Sequence, residues 1–424
     1  MADLAPPSSA SASASPSASA SAATGPLAPL RERQFVACWS AGAISASANW
    51  MLSLSVPVVV YQITGSMTLL GTVAIAANLP SLLGSPLGGV WADRHSKRVV
   101  LLLALGAQTL LTALLYWTSR NGAVTVANLL GLSAAIGFAS SVNLSAYQAL
   151  IADIVPKRQI RPAYRLNAIQ FNLSRAIGPA IAGVVLSQWG PTTAFLINTL
   201  AHIPLVSVLL LFVRPRARKP HPATNVLKEI AAGAHVARES PALRMALLIV
   251  SMSAAFGMSI QQLATGLQKE VFRVDEAGLG MLVSSIGLAA VVTAILSIWL
   301  GDRFRASVTI RVGLVFYGLG LCIVAATDIF AVGLAGFAVT GFAHVLVNVS
   351  VTTALQIHVP DEFRGRVTSL QLMGIILSMA FGAQLGGALA EISSLPTVVA
   401  LYGGVLVGFA AWGHWRMGGL RDLD

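Results

Sequence analysis

Between Gln34 and Ala92 lie 59 consecutive residues without a single Asp, Glu, Lys or Arg. An apolar helix crosses a bilayer core in about 20 residues, so this run is too long for one crossing and fits two joined by a turn. The turn falls at Gln62 to Ser66, where Gly65 and Ser66 interrupt helical periodicity. Residues 99–119 and 121–152 are also uncharged, and 166–213 is interrupted only by Arg175 and divided by Trp189, Gly190 and Pro191. That makes six predicted spans. Residues 245–268, 277–301, 306–327 (with Arg311 near the start), 329–360, 367–390 and 392–415 supply six more. Inside hydrocarbon every backbone polar group must be paired within its own element, which makes the spans helices. The alternating ten-residue segments of a membrane barrel are absent from the sequence.

Composition agrees. Hydrophobic residues make up 55% of the 424 and charged residues only 10%, against about 25% charged in soluble domains. The two cysteines, Cys38 and Cys322, exclude a disulfide scaffold and a multi-cysteine metal site, and no metal or cofactor is expected. The net charge of +11 would suit nucleic acid if it were clustered on one face. It is not. With the N-terminus inside, 23 of the 27 Lys and Arg fall in inside loops and tails, and only Arg120, Lys269 and Arg273 fall outside. This is the positive-inside asymmetry. It places both termini in the cytoplasm, makes the bilayer the partner of the apolar surface, and sets nucleic acid aside.

Residues 1–30 are a Ser/Ala/Pro tract without the basic and apolar regions of a signal peptide, predicted to be a disordered cytoplasmic tail. Residues 31–213 form the first set of six spans, 214–241 a polar cytoplasmic linker, 242–417 the second set and 418–424 a short tail. The apolar spacing from Val226 to Val236 suggests an amphipathic helix in the linker. The two sets repeat each other. At an offset of 204, Pro156, Leu166, Gly178 and Gly183 match Pro360, Leu370, Gly382 and Gly387, while Asn143 matches Asn348 with a one-residue slip. Asp93 and Arg94 at the end of span two match Asp302 and Arg303 at the end of span eight. A repeat of six spans keeps its orientation, so the halves are related by an axis normal to the membrane. The expected fold is therefore an all-α membrane protein of twelve transmembrane helices in two six-helix bundles.

Gly89, Asp93, Arg94, Lys97 and Arg98 resemble the G-x-x-x-D-R-x-G-R-R loop between spans two and three of the major facilitator superfamily, with Ser96 where that motif has its second glycine. Tyr61 to Ser66, Asn172 to Pro179 and Val359 to Val367 are similar to one branch of it, that of enterobactin and macrolide exporters. The resemblance covers about residues 31–415. It implies a central cavity lined by spans one, four, seven and ten, and rocking between inward-open and outward-open states. It also implies a gate role for Gly89, Asp93, Arg94, Lys97 and Arg98, with Asp93 latching span two to span eleven. Gly178 and Pro179 resemble the antiporter element of span five, although Gly183 follows Pro179 by four residues without the usual Gly-Gly pair.

Arg175 stands mid-span, where a charge costs about 2.5–3.5 kcal/mol on insertion scales. No acidic residue lies at that depth in any span. Amides such as Asn143 or Asn172, backbone carbonyls or an anionic group of a substrate remain its possible partners. Asn49 stands where the branch commonly carries Asp, and it cannot titrate. For proton coupling that leaves His344 in span ten, ahead of His202 in span six; a satisfied buried histidine is the alternative for each. Asn49, Trp50, Asn143, Tyr147, Gln261, Gln262 and Asn348 complete the polar and aromatic set at cavity depth, with interhelical hydrogen bonding as the competing role. The seven histidines are scattered, which argues against a membrane-embedded enzyme, and no Walker signature is present. The expected function is a monomeric secondary transporter in the inner membrane. It exports a small amphipathic molecule, a siderophore or macrolide-like drug, by proton or other ion antiport. A nutrient importer of the same fold and a non-transporting sensor remain as alternatives.

Overall fold

The computed structural model describes residues 25–213, 240–300, 305–359 and 363–416, together with His235 and Arg238. Of the expected disordered tail over 1–30, residues 1–24 lie outside the described residues, as do most of the linker with its amphipathic helix, the 302–303 and 360–362 segments and the 418–424 tail. The end of the N-terminal tail is instead ordered, Ala28–Arg31 forming a 3-10 helix with Ala28 and Pro29 buried. Eleven helices are long and apolar enough to cross a membrane, and the longest, Lys157–Leu211, has 55 residues. It is two crossings. Gly190 takes φ 75° and ψ 176°, a conformation that glycine tolerates and other residues avoid, and Pro191 restarts the helix.

The helices are α1 (Arg33–Thr64), α2 (Met67–Arg94), α3 (Lys97–Arg120), α4 (Val126–Ile154), α5 (160–189) and α6 (191–211), then α7 (Pro241–Phe272), α8 (Glu276–Leu300), α9 (Ala306–Ala325), α10 (Phe330–His358), α11 (Arg364–Ile392) and α12 (Leu395–Arg416). Their ends follow local chemistry. Gly65 closes α1 in the left-handed region, and Ser66 caps α2 by accepting from the Leu69 N–H at 3.2 Å. Thr125 and Asn128 form a reciprocal capping box on α4. Within α2, Leu79 and Pro80 interrupt the helix between Met67–Asn78 and Ser81–Arg94. In α7, Ser253–Met258 and Leu267–Phe272 are π-helical. Neither irregularity was expected from sequence.

Helices α1 to α6 and α7 to α12 form the two bundles, and the internal repeat is visible in their packing. Gly178 of α5 lies against the Ser47 carbonyl of α1, and its repeat mate Gly382 of α11 against the Ala255 carbonyl of α7. Gly183 of α5 abuts Gly280 of α8 across the bundles, and Gly387 of α11 abuts Met67 of α2. A Cβ at any of these positions would overlap backbone, so small residues set how closely the helices approach.

Among the described residues, the apolar contacts that join the bundles gather at one end. The turns at Gly65, Gly190 and Arg273 share that end, here the Gly65 end; the loop between α2 and α3 marks the other, the Lys97 end. One apolar cluster runs from Met51, Leu54, Val58, Leu70 and Leu186 of the first bundle into Leu263, Leu267, Leu279, Leu282 and Leu395 of the second. Toward the Lys97 end the first bundle has its own cluster, including Phe35, Leu101, Leu150 and Leu209, with no member from the second. Leu103, Leu211, Leu288, Ile357 and Phe381 stand exposed on the outer surface, as expected of helices whose polar face is not turned to water.

Candidate substrate cavity and bundle interface

A cavity of about 420 Å³ opens between the bundles. The sequence-predicted Asn49, Trp50, Asn143, Tyr147, Gln261 and Gln262 line it. So do Asn78, Ser140, Asn167, Gln170, Phe171, Met258 and Met379, which the sequence did not single out. Tyr147 is positioned by donating its hydroxyl to the Cys38 carbonyl at 2.9 Å, and Gly42 leaves room for that ring. The side-chain amides of Asn49, Asn143, Gln261 and Gln262 make no hydrogen bond to other described residues. Unspent amides on apolar walls suit the recognition of an amphipathic ligand.

Arg175, His344 and Asn348 are not part of that wall. Arg175 stacks over Trp50, its guanidinium carbon 5.5 Å from the ring centroid, and Trp50 meets Phe171 edge-on at 5.8 Å. On the facing bundle the Asn348 amide donates to His344 Nε2 at 3.3 Å, and His344 meets Tyr317 at a centroid distance of 6.1 Å. Gly287 of α8 packs on Ala176, and the preceding Ile286 on Gly341 of α10, so the Arg175 turn of α5 and the His344 turn of α10 lie at the same level of α8. His202 instead sits in the first bundle, its Nδ1 2.8 Å from Ser45 Oγ.

At the Lys97 end the five motif residues separate. Gly89 has open space where a side chain would be, and Asp93 and Arg94 are exposed. Asp93 makes no hydrogen bond or ion pair among the described residues. The contact of α2 with α11 is carried by the Met67–Asn78 segment, at the opposite end from Asp93. Lys97 is buried and pairs with Asp153 of α4 at 2.6 Å, the two side chains being 10% and 7% exposed. Arg98 donates to the Leu210 carbonyl at 2.8 Å, satisfying an orphan acceptor at the end of α6.

The Gly65 end is closed by polar contacts as well as by the apolar cluster. Tyr61 donates to Glu270 at 2.8 Å and Gln62 to Glu276 at 3.4 Å. Glu391 accepts from the Ser66 hydroxyl at 2.5 Å and from the Thr68 N–H at 3.0 Å, placing a carboxylate on the positive end of α2. Thr72 donates to Gln384 at 3.1 Å. Gly178, Pro179 and Gly183 form the ridge by which α5 meets α1 and α8. Among the described residues no group of three His, Cys, Asp or Glu could hold a metal.

Comparison with known proteins bears on this arrangement. The model of the transmembrane secretion effector family, a branch of the major facilitator superfamily, matches residues 24–416. The chain belongs to this family. Among curated relatives, the enterobactin exporter EntS of Citrobacter koseri is 26% identical over 368 residues, covering 84% of this chain and 85% of that one. EntS of Salmonella typhi is 26% identical over 365 residues with the same coverage. Among solved structures, the nucleoside transporter NupG superposes with a TM-score of 0.72 at 13% identity, covering 92% of this chain and 99% of that one. An inward-facing, unoccupied bacterial homologue of the human lysosomal transporter Spinster gives 0.72 at 13% identity, with 92% and 98% covered. The chain is thus a multi-pass membrane protein with the major facilitator fold and belongs to a family of transporters.

Proposed function

We propose that this protein is a secondary active exporter of a small amphipathic molecule, a siderophore or macrolide-like drug, working by alternating access in the inner membrane with both termini cytoplasmic. The observation that carries this reading is the asymmetry of the bundles. They are sealed by apolar core and polar contacts at the Gly65 end, with a cavity walled by unspent amides and aromatics between them. Combined with the charge bias of the loops, the sealed end is the outer one, and the molecule is poised to accept cargo from the cytoplasm. Rocking about the α5–α8 and α2–α11 contacts exposes the cavity to the other side. The likeness to enterobactin exporters favours a siderophore, whose amide and aromatic groups match the cavity wall. Proton antiport is the proposed drive, with His344 as the titrating group and Asp93 as a latch that engages when the Lys97 end closes. A monomer contains both bundles and the cavity between them.

The test is accumulation of a siderophore and macrolide panel in cells lacking or overproducing the protein, with and without a protonophore. Faster loss of one compound, abolished by the protonophore, is the expected result, and overproduction should then raise resistance to any toxic cargo. Faster accumulation with the protein present would make it an importer. Flux of none of these compounds in either direction would overturn the siderophore and drug assignment.

A further inference from the structure

Three polar side chains face one another across the bundle interface with no anionic group among them. The Arg175 guanidinium carries five N–H groups; it lies over the face of Trp50 and makes no hydrogen bond or ion pair among the described residues. The Tyr317 hydroxyl makes no hydrogen bond to a described residue. His344 is 8% exposed, and its Nδ1 is buried without a partner. Because the Asn348 amide donates to Nε2, a neutral His344 ring carries its proton on Nδ1, which makes that orphan a donor. No carboxylate among the described residues stands beside Arg175 as counter-ion. The described acids Glu32, Asp93, Asp153, Glu270, Asp275, Glu276, Asp328 and Glu391 all lie at helix ends or in the connections between them. An unpaired charge at this depth is costly, and a buried polar group without a partner costs about 1–3 kcal/mol more than a satisfied one.

We infer that Arg175, Tyr317 and His344 form a binding subsite for an oxyanion of the cargo, held between the two bundles at the sealed end of the cavity. The inference rests on the transport reading and narrows its substrate class to molecules with a negatively charged group next to an aromatic or apolar body. Trp50 and Phe171 line the cavity, and Arg175 is one helical turn beyond Phe171 on α5, toward the ridge of Gly178 and Gly183. The apolar body therefore lies against Trp50 and Phe171, and the anion reaches past them. Arg175 belongs to the first bundle, Tyr317 and His344 to the second. One bound anion consequently ties the bundles together, so that occupancy changes the relative stability of the two states.

The experiment measures binding to the purified full chain in lipid nanodiscs. The probe is 1-naphthoate, and its neutral isostere naphthalene-1-carboxamide is the control. The wild-type chain is expected to bind the acid at least about tenfold more tightly than the amide, the discrimination of one charge-assisted hydrogen bond. Arg175→Gln should abolish the preference, Arg175→Lys should keep part of it, and Tyr317→Phe should reduce it several-fold. Equal binding of acid and amide by wild type overturns the subsite, as does a preference that survives Arg175→Gln. If Arg175→Gln fails to fold, Tyr317→Phe and His344→Gln decide, and an undiminished preference in both overturns it. Binding is read without flux. A chain that prefers naphthoate but exports nothing refutes the export reading and leaves the subsite standing. Export regardless of charge, with no naphthoate preference, does the reverse.

Discussion

The Lys97–Asp153 pair joins the start of α3 to the end of α4 at 2.6 Å, with side chains only 10% and 7% exposed. Two unit charges about 4 Å apart attract by about 4 kcal/mol at an effective dielectric near 20. Taking each ion out of water costs several kcal/mol, so the intact pair adds little net stability. Removing one member is different. Asp153→Asn removes the counter-charge and leaves the buried Lys97 ammonium with neutral acceptors, the new amide oxygen and the Ala149 carbonyl at 3.3 Å, and a buried charge stripped of its counter-ion costs about 3–5 kcal/mol. Adding Lys97→Met to that variant removes the charge and restores an apolar fill. At about 2 °C per kcal/mol for a large domain, Asp153→Asn should lower the melting temperature by roughly 6–10 °C, and the double variant should recover more than half of the loss. The assay is fluorescence-detected melting of the purified protein in detergent. A double variant less stable than Asp153→Asn alone would refute the reasoning, because the two groups would then not act as a buried pair.

Two further substitutions probe the bundle interface. Gly183→Val pushes a side chain into the Gly280 backbone. It should cost about 1–3 kcal/mol of overpacking and slow flux, whereas Gly106→Ala, with nothing within 4 Å, should be silent in both melting and transport. Asp93→Asn should leave melting unchanged, since Asp93 has no described partner in this state, yet cut transport if the latch forms in the opposite one. Full transport by a normally expressed Asp93→Asn chain would remove the latch from the mechanism.

The parts of the fold legible in sequence are those fixed within one segment. Charge-free length marks the spans, and Gly65 and Gly190 mark turns because both take φ values that other residues resist. The glycine repeat was legible for a related reason: close helix approach demands small residues on both partners. What could not be read depends on which helices meet and at what register. Glu391 and Ser66 are 325 residues apart, and nothing in either segment announces the other. The one trace was that Glu391 alone separates the uncharged runs 367–390 and 392–415, a carboxylate kept where an apolar residue would have extended the span. Asp153 was equally hidden, since at a span end it resembles any boundary charge until α3 brings Lys97 beside it. The π-helical turns of α7, in the first of which Gly257 lies under the Tyr317 ring, leave no periodicity signature. Among cavity residues, amide and aromatic chemistry at mid-depth found six of the wall positions, four amides and two rings. It also drew in Asn348, whose amide is used on His344.

Alternating access requires the Gly65 end to open and close during each cycle, and a reversible lock on that end tests it most directly. Thr72 and Gln384 face each other from α2 and α11, hydrogen-bonded at 3.1 Å. The pair Thr72→Cys and Gln384→Cys, built in a chain with Cys38→Ser and Cys322→Ser, should cross-link on oxidation. Transport of any cargo should then stop and return on reduction, while each single variant keeps working in oxidant. Undiminished transport by a fully cross-linked chain would contradict the account.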